Sequence, residues 1–126
     1  MEFLNVSVAT ARITGLKKKP YYFEHKCYYA MDIMFQDAST IWVHNIPNIN
    51  LGDNKEHALG AYERITKTFE YAGIHEGDTV ALLFTEVGYV FAIGRTGDDT
   101  WIDAKDHFSL KKFSDLNCII TGLSVY

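Results

Sequence analysis

Across residues 28–46 the chain reads YYAMDIMFQDASTIWVHNI. Tyr29, Met31, Ile33 and Phe35 are apolar at every second position, and Ile41 and Val43 resume the alternation after a short polar break. A period of two belongs to a strand with one buried face, and two such runs joined by a brief polar segment make a hairpin. A turn at Asp37, Ala38 and Ser39 sets Phe35 opposite Ile41 and Ile33 opposite Val43, which keeps one face wholly apolar. A slip of one residue would throw one strand's apolar set to the other face, so that register is the expected one. It leaves a second face with Tyr28, Ala30, Asp32 and Met34 set against Trp42, His44 and Ile46. There Asp32 is expected opposite His44, and Met34 beside Trp42. Such a mixture is neither ordinary core nor ordinary solvated surface.

The other segments can be arranged about this hairpin. Residues 3–16 alternate as a long first strand, with Leu4, Val6 and Val8 on one parity and Ala11 and Ile13 on the other. A change of parity within a strand is what a bulge produces. Residues 17–23, KKKPYYF, follow Gly15 and Leu16; Pro20 has no amide to donate, so a loop or a sheet edge is predicted. After Pro47, residues 48–54 are rich in turn formers, and Asp53 followed by Glu56 has the spacing of a capping box. Ala58, Tyr62, Ile65, Phe69 and Ala72 then recur at steps of four and three, the apolar stripe of a helix. Gly73 is placed to end that helix in a left-handed backbone, and Ile74 to fold back on Phe69. Residues 79–84 and 89–94 read as a second strand pair about a turn at Gly88. Gly97, Asp98 and Asp99 turn into residues 101–104, and residues 117–126 alternate as a closing strand.

At 126 residues the chain is long enough for one domain, 1–126, with a substantial core. Hydrophobic residues make up 48%, which excludes disorder, and eight Phe, eight Tyr and two Trp against two Pro favour strands. The net charge of -4 counts against a dedicated nucleic-acid binder, but the balance is uneven. Residues 1–36 hold five Lys/Arg and three Asp/Glu; residues 37–126 hold seven and thirteen. No basic region leads into an apolar run at the start, and no apolar run approaches a membrane span, so a soluble, cytoplasmic protein without a membrane partner is expected. Cys27 and Cys118 lack metal-ligand spacing and are read as free thiols of a reducing compartment. The histidines at 25, 44, 57, 75 and 107 form no pair four apart. Asp98, Asp99, Asp103 and Asp106 with His107 lack the spacing of a calcium loop and are read as turn residues. No metal and no cofactor are expected.

The element order is long bent strand, hairpin, helix, hairpin, further strand. With the helix-Gly-Ile-x-x-Gly-Asp-Thr-Val lead-in at residues 73–80, it resembles that of OB-fold nucleic-acid-binding proteins, single-stranded-DNA-binding ones included. The resemblance covers residues 3–102; residues 101–126 lie outside the five-strand pattern. It implies a mainly β protein with one helix, built as a small barrel of order β-β-β-α-β-β with a C-terminal strand added. An SH3-like barrel, or an α+β arrangement with a helix packed on an open antiparallel sheet, fits the same order.

In the resembling folds the face of strands two and three, with the loop between strands one and two, binds oligonucleotides. Carried onto this chain, that face and loop comprise Lys17, Lys18, Lys19, Tyr21, Tyr22, Tyr28, Asp32, Trp42 and His44, with Arg12 and Lys26 nearby. Cations would meet phosphates and flat aromatic rings would meet unstacked bases. The competing reading is a solubilising lysine cluster beside aromatics folded into the core. Asp32 with His44 has the makings of an acid–base pair, but no nucleophile motif accompanies it, and cross-strand polar pairs are commonly structural. A non-enzymatic binding module is therefore expected. Its partner is a single-stranded nucleic acid or, alternatively, a protein met through the aromatic face or an acidic surface of residues 37–126.

Overall fold

The first strand, β1 (Leu4–Gly15), runs through the middle of the sheet, and the arrangement follows from how its two edges are shared. The computed structural model describes residues 3–16, 20–23, 28–37, 43–95 and 97–123. Among them the chain forms β1, β2 (Tyr21–Phe23), β3 (Tyr28–Asp37), β4 (Val43–Gly52), α1 (Lys55–Tyr71), β5 (Thr79–Phe84), β6 (Val90–Gly94), β7 (Thr100–Asp103), β8 (Ser109–Lys112) and β9 (Cys118–Leu123). Residues 7–12 of β1 pair with β5 in antiparallel fashion. The opposite edge is divided: β9 lies parallel to residues 4–8, and β3 antiparallel to residues 11–15. Beyond β3 lie β2 and β4, and beyond β5 the sheet continues through β6, β7 and β8.

The change of parity in β1 does not mark a bulge. Its pairing with β5 is regular throughout residues 7–12, where the parity changes, and the one register shift of β1 against β3 lies farther on, between Ile13 and Gly15. It is the first half of the strand that is covered on both faces. Ala11 and Ile13 face a large core with Val80, Leu82, Ile93, Ile102 and the helix residues Ala58, Ile65 and Phe69. Val6 and Val8 face a smaller core made by Leu83, Phe91, Ala92, Trp101 and Leu116. Trp101 can lie there only because Gly94 opposite it has no side chain; a Cβ would stand 2.6 Å from the indole. Farther along the same parity of β1, Thr10, Arg12 and Thr14 are exposed. One side of the sheet is thus covered at the β5–β7 end and open at the β3 end.

The hairpin exists, but its register differs from the expected one. Phe35 is fully buried, as its parity demands, yet it faces His44, while Val43 faces Gln36 and Ile33 faces Ile46. The connection is longer than a turn at residues 37–39, since β3 persists through Asp37; residues 38–42, with Ile41 and Trp42, lie outside the described residues. Residues 48–52 are not a loop. β4 runs on through Pro47 to Gly52 by way of two irregularities, so that Met31 faces Ile49 and Tyr29 faces Gly52. An edge strand tolerates proline and bulges because only one of its edges must be hydrogen-bonded. Ile46, Ile49 and Leu51 consequently reach the large core despite the broken alternation.

Asn54, not Asp53, caps α1: its extended backbone lets its side chain accept the amide of His57 at 2.9 Å. At the other end Gly73 takes φ +73, its amide bonds the carbonyl of Glu70, and Ile74 bonds that of Phe69, both at 2.9 Å. That reciprocal closure satisfies the last helical carbonyls, and it brings the buried Ile74 into the core that holds Phe69. The helix docks on β3 and β4 through Ala58, Ile65 and Phe69, with Tyr62 partly buried alongside.

The sheet does not close into a barrel. β4 and β6 approach one another, but Ala92 and Ile93 of β6 already pair with β5 on one edge and β7 on the other. A strand has two hydrogen-bonding edges, so β6 has none to offer β4. The fold is mainly β with one helix, an open sheet, antiparallel except at β1–β9.

The docking of α1 sets a measurable cost. Phe69→Ala should lower stability by about 3–5 kcal/mol in denaturant unfolding, the ordinary range for truncating a buried aromatic side chain. A loss below about 1 kcal/mol would show that this stripe does not hold the helix.

Candidate binding face

The open side of the sheet at β2 and β3 gathers part of the predicted set. Tyr21 stands opposite Ala30 and Arg12 opposite Gln36, which puts both on the even parity of β3 with Tyr28, Asp32 and Met34. Tyr22 pairs with Tyr29 and therefore takes the helix side, where the two rings meet edge-on at 5.3 Å. Tyr22 is half-exposed there, and Tyr29 packs on the large core. The expected tyrosine pair is thus split between the two faces, because adjacent strand residues must point apart.

Asp32 anchors the face. The Tyr21 hydroxyl donates to its Oδ1 at 3.0 Å, and the backbone amide of Asn48 donates to the same oxygen at 2.7 Å. The Asn48 side-chain amide lies 2.7 Å from the Tyr21 hydroxyl, which completes a triangle. Asn48 reaches this position through the irregularity in β4 and a left-handed backbone, φ 53, which asparagine tolerates better than most residues. The partner expected for Asp32 was His44; the one it has is Asn48. The signal in the sequence was an asparagine directly after Pro47 in what proves to be a bulged edge strand.

His44 lies on the opposite side of the hairpin. Its Nε2 stands 3.6 Å from Oδ2 of Asp37, with side-chain exposures of 13% and 3%, and its ring stacks on Phe84 at 5.1 Å. It faces Phe35 and belongs to the inner side, so Asp32 and His44 form neither an acid–base pair nor a shared surface. Lys17, Lys18, Lys19, Lys26 and Trp42 lie outside the described residues.

The Asp32 triangle perturbs Tyr21. Partial burial first, then the hydrogen bond to the Asp32 carboxylate and its charge, and last Tyr28, push the phenol up to about 12. The charge keeps the proton on the ring oxygen, and that proton holds the ring against the sheet.

The remaining polar groups serve the turns. Asp103, buried beside the smaller core, accepts the amides of Lys105 and Asp106 and bonds Lys111 Nζ at 2.9 Å. Lys111 also reaches Asp106 at 2.9 Å; its hydrogen bond and that of Ser109 hold the Asp106 carboxyl below its usual range. Asp98 accepts the amide of Thr100, and Asp99 that of Phe113. Cys118 is a free thiol pushed up by burial and then by the charge of Asp103, which disfavours the reactive thiolate; Cys27 lies outside the described residues. Among the described residues no three His, Cys, Asp or Glu side chains converge as metal ligands do.

Fold and face together define a mainly β, open-sheet protein with one packed helix and a partly exposed tyrosine–carboxylate surface. No family model, curated protein or solved structure matches the chain. No helix among the described residues is long and apolar enough to cross a membrane.

The Tyr21–Asp32 bond can be read by alkaline spectrophotometric titration. The raised pKa means that the folded state holds the Tyr21 proton more tightly than the unfolded chain. Its contribution to stability is therefore present below the ordinary value of 10.0 and is lost as pH rises from there through about 12. Comparison of the parent with Tyr21→Phe should isolate a phenol titrating late, and Asp32→Asn should move it back toward 10.0. An unchanged curve in Asp32→Asn would show that the carboxylate does not hold the hydroxyl.

Proposed function

We propose that the protein is a non-enzymatic binding module that takes single-stranded nucleic acid across the open face of β2 and β3. The observation that carries this reading is the placement of Tyr21 and Tyr28 together on one side of the sheet, with Tyr21 tied down by Asp32 and Asn48 and Arg12 on the same side farther along β3. A fixed ring loses little freedom when a base stacks on it, and each stacked base is worth about 1–3 kcal/mol. Arg12 offers a cation on the same side of the sheet, opposite Gln36 and so about 20 Å along β3 from the position of Tyr21 opposite Ala30. The basic run Lys17, Lys18 and Lys19 directly precedes Pro20 and Tyr21 in sequence. Asp32 would repel phosphate if bare, but its Oδ1 already accepts two hydrogen bonds.

A protein partner is the second reading. It is favoured by the net charge of -4 and by exposed Phe3, Leu4, Ile119 and Ile120 where β1 and β9 run side by side. Exposed apolar groups gathered on one margin are a feature of protein-interaction surfaces.

Fluorescence anisotropy with labelled oligo-dT and oligo-U at low salt separates the two. Engagement of about three to four phosphates predicts a log–log salt slope of roughly -2 to -3. Joint replacement of Lys17, Lys18 and Lys19 by Ala should flatten that slope. Tyr28→Ala or Trp42→Ala should instead weaken binding at every salt concentration by about 1–3 kcal/mol. Absence of binding near about 50 mM salt, where electrostatic affinity is generous, would end the nucleic-acid reading and leave the protein partner.

A further inference from the structure

On the helix side of the sheet, β4, α1 and the turn after β7 enclose a cleft of about 320 Å³. Small-molecule sites span roughly 300–1,000 Å³, so this is a small one. Ile49, Leu51, Ala61, Ile65 and Phe108 supply apolar walls. Phe108 is turned inward by an uncommon backbone: His107 and Phe108 both adopt left-handed φ, 53 and 58. That conformation is rare outside glycine, and rarest for a bulky side chain. It sets the Phe108 ring beside Phe69, centroids 6.5 Å apart.

The charge of this cleft is opposite to that of the chain. Arg64, Lys105 and His107 line it and no Asp or Glu does, although Asp and Glu outnumber Lys and Arg by 16 to 12 overall. Lys105 contributes its stem, because its ammonium lies over the ring of Phe91, 5.1 Å from the centroid. Arg64 is the cation fixed to the rim: its guanidinium donates to the carbonyl of His107 at 3.2 Å and so ties α1 to the turn. Among the described residues it makes no ion pair with a carboxylate. A guanidinium has five N–H donors in a planar fork that matches a carboxylate, and one contact leaves most of them unused.

We propose that this cleft binds a small free carboxylate carried on a flat apolar body. The body lies between Ile49, Leu51, Ala61 and Phe108, and the carboxylate meets Arg64 at the mouth. This site is separate from the open tyrosine face, since it lies on the other side of the sheet, and it stands whether or not that face binds nucleic acid.

Naphthalene-2-carboxylate and its neutral analogue naphthalene-2-carboxamide are suitable probes, followed by amide chemical shifts on the full chain. The carboxylate should shift Leu51, Ala61 and Phe108 and bind roughly tenfold or more tightly than the amide, the worth of a charge-assisted hydrogen bond. Arg64→Gln should abolish that preference while leaving the affinity for the carboxamide unchanged. Ala61→Trp, which fills the cleft, should remove binding of both probes. The proposal is overturned if the probes bind the parent equally, if Arg64→Gln leaves the preference intact, or if the shifts cluster elsewhere, for instance at Ala58 and Tyr62. Should Ala61→Trp fail to fold, the Arg64→Gln comparison decides alone.

Discussion

A strand has two hydrogen-bonding edges, and β1 must serve three partners with them. It gives one edge to β5 and divides the other between β9 and β3. Those pairings decide which faces are covered. Near β9 and β5 the segment ending in Leu116 folds over Val6 and builds the smaller core. Toward β3 the same parity of β1 meets solvent at Thr10, Arg12 and Thr14. The open tyrosine face is the part of that side that the chain does not cover.

The same limit explains the open sheet. The five-strand barrel expected from the element order would pair β4 with β6, and β6 is occupied on both edges by β5 and β7. β4, left as an edge, can carry Pro47 and two irregularities without loss of necessary pairing. That freedom has a structural use on each side. Outward, it brings the amide of Asn48 to Asp32 and locks Tyr21; inward, Ile46, Ile49 and Leu51 meet α1 and border the Arg64 cleft.

Two groups of charges thus act differently in a chain of net charge -4. Asp32 and Asp103 are consumed by hydrogen bonds that fix local geometry, and Asp103 with Lys111 and Asp106 staples the turn between β7 and β8. The open face and the cleft, by contrast, each hold an arginine, Arg12 and Arg64, that forms no ion pair with a carboxylate among the described residues.

Local pattern was enough for the elements whose partners lie close in sequence or whose periodicity is strong. The stripe Ala58, Ile65 and Phe69, the closure at Gly73 and Ile74, the burial of Phe35 and the pairing of β5 with β6 were all legible, because each follows from a repeat or a backbone constraint carried by the residues themselves. Register was not. The alternation at Ile41 and Val43 allows more than one turn length, and the pairing the chain adopts turns His44 inward and gives Asp32 to Asn48 instead. The two-parity burial of β1 was visible as a pattern, but a bulge and a strand covered on both faces read alike until the partner segments are placed. Closure was beyond reach for a similar reason: whether β6 keeps a free edge depends on β7, which lies outside the element order that suggested a barrel. Periodicity says which side chains need burial; only the tertiary structure decides which edges and faces remain to be used.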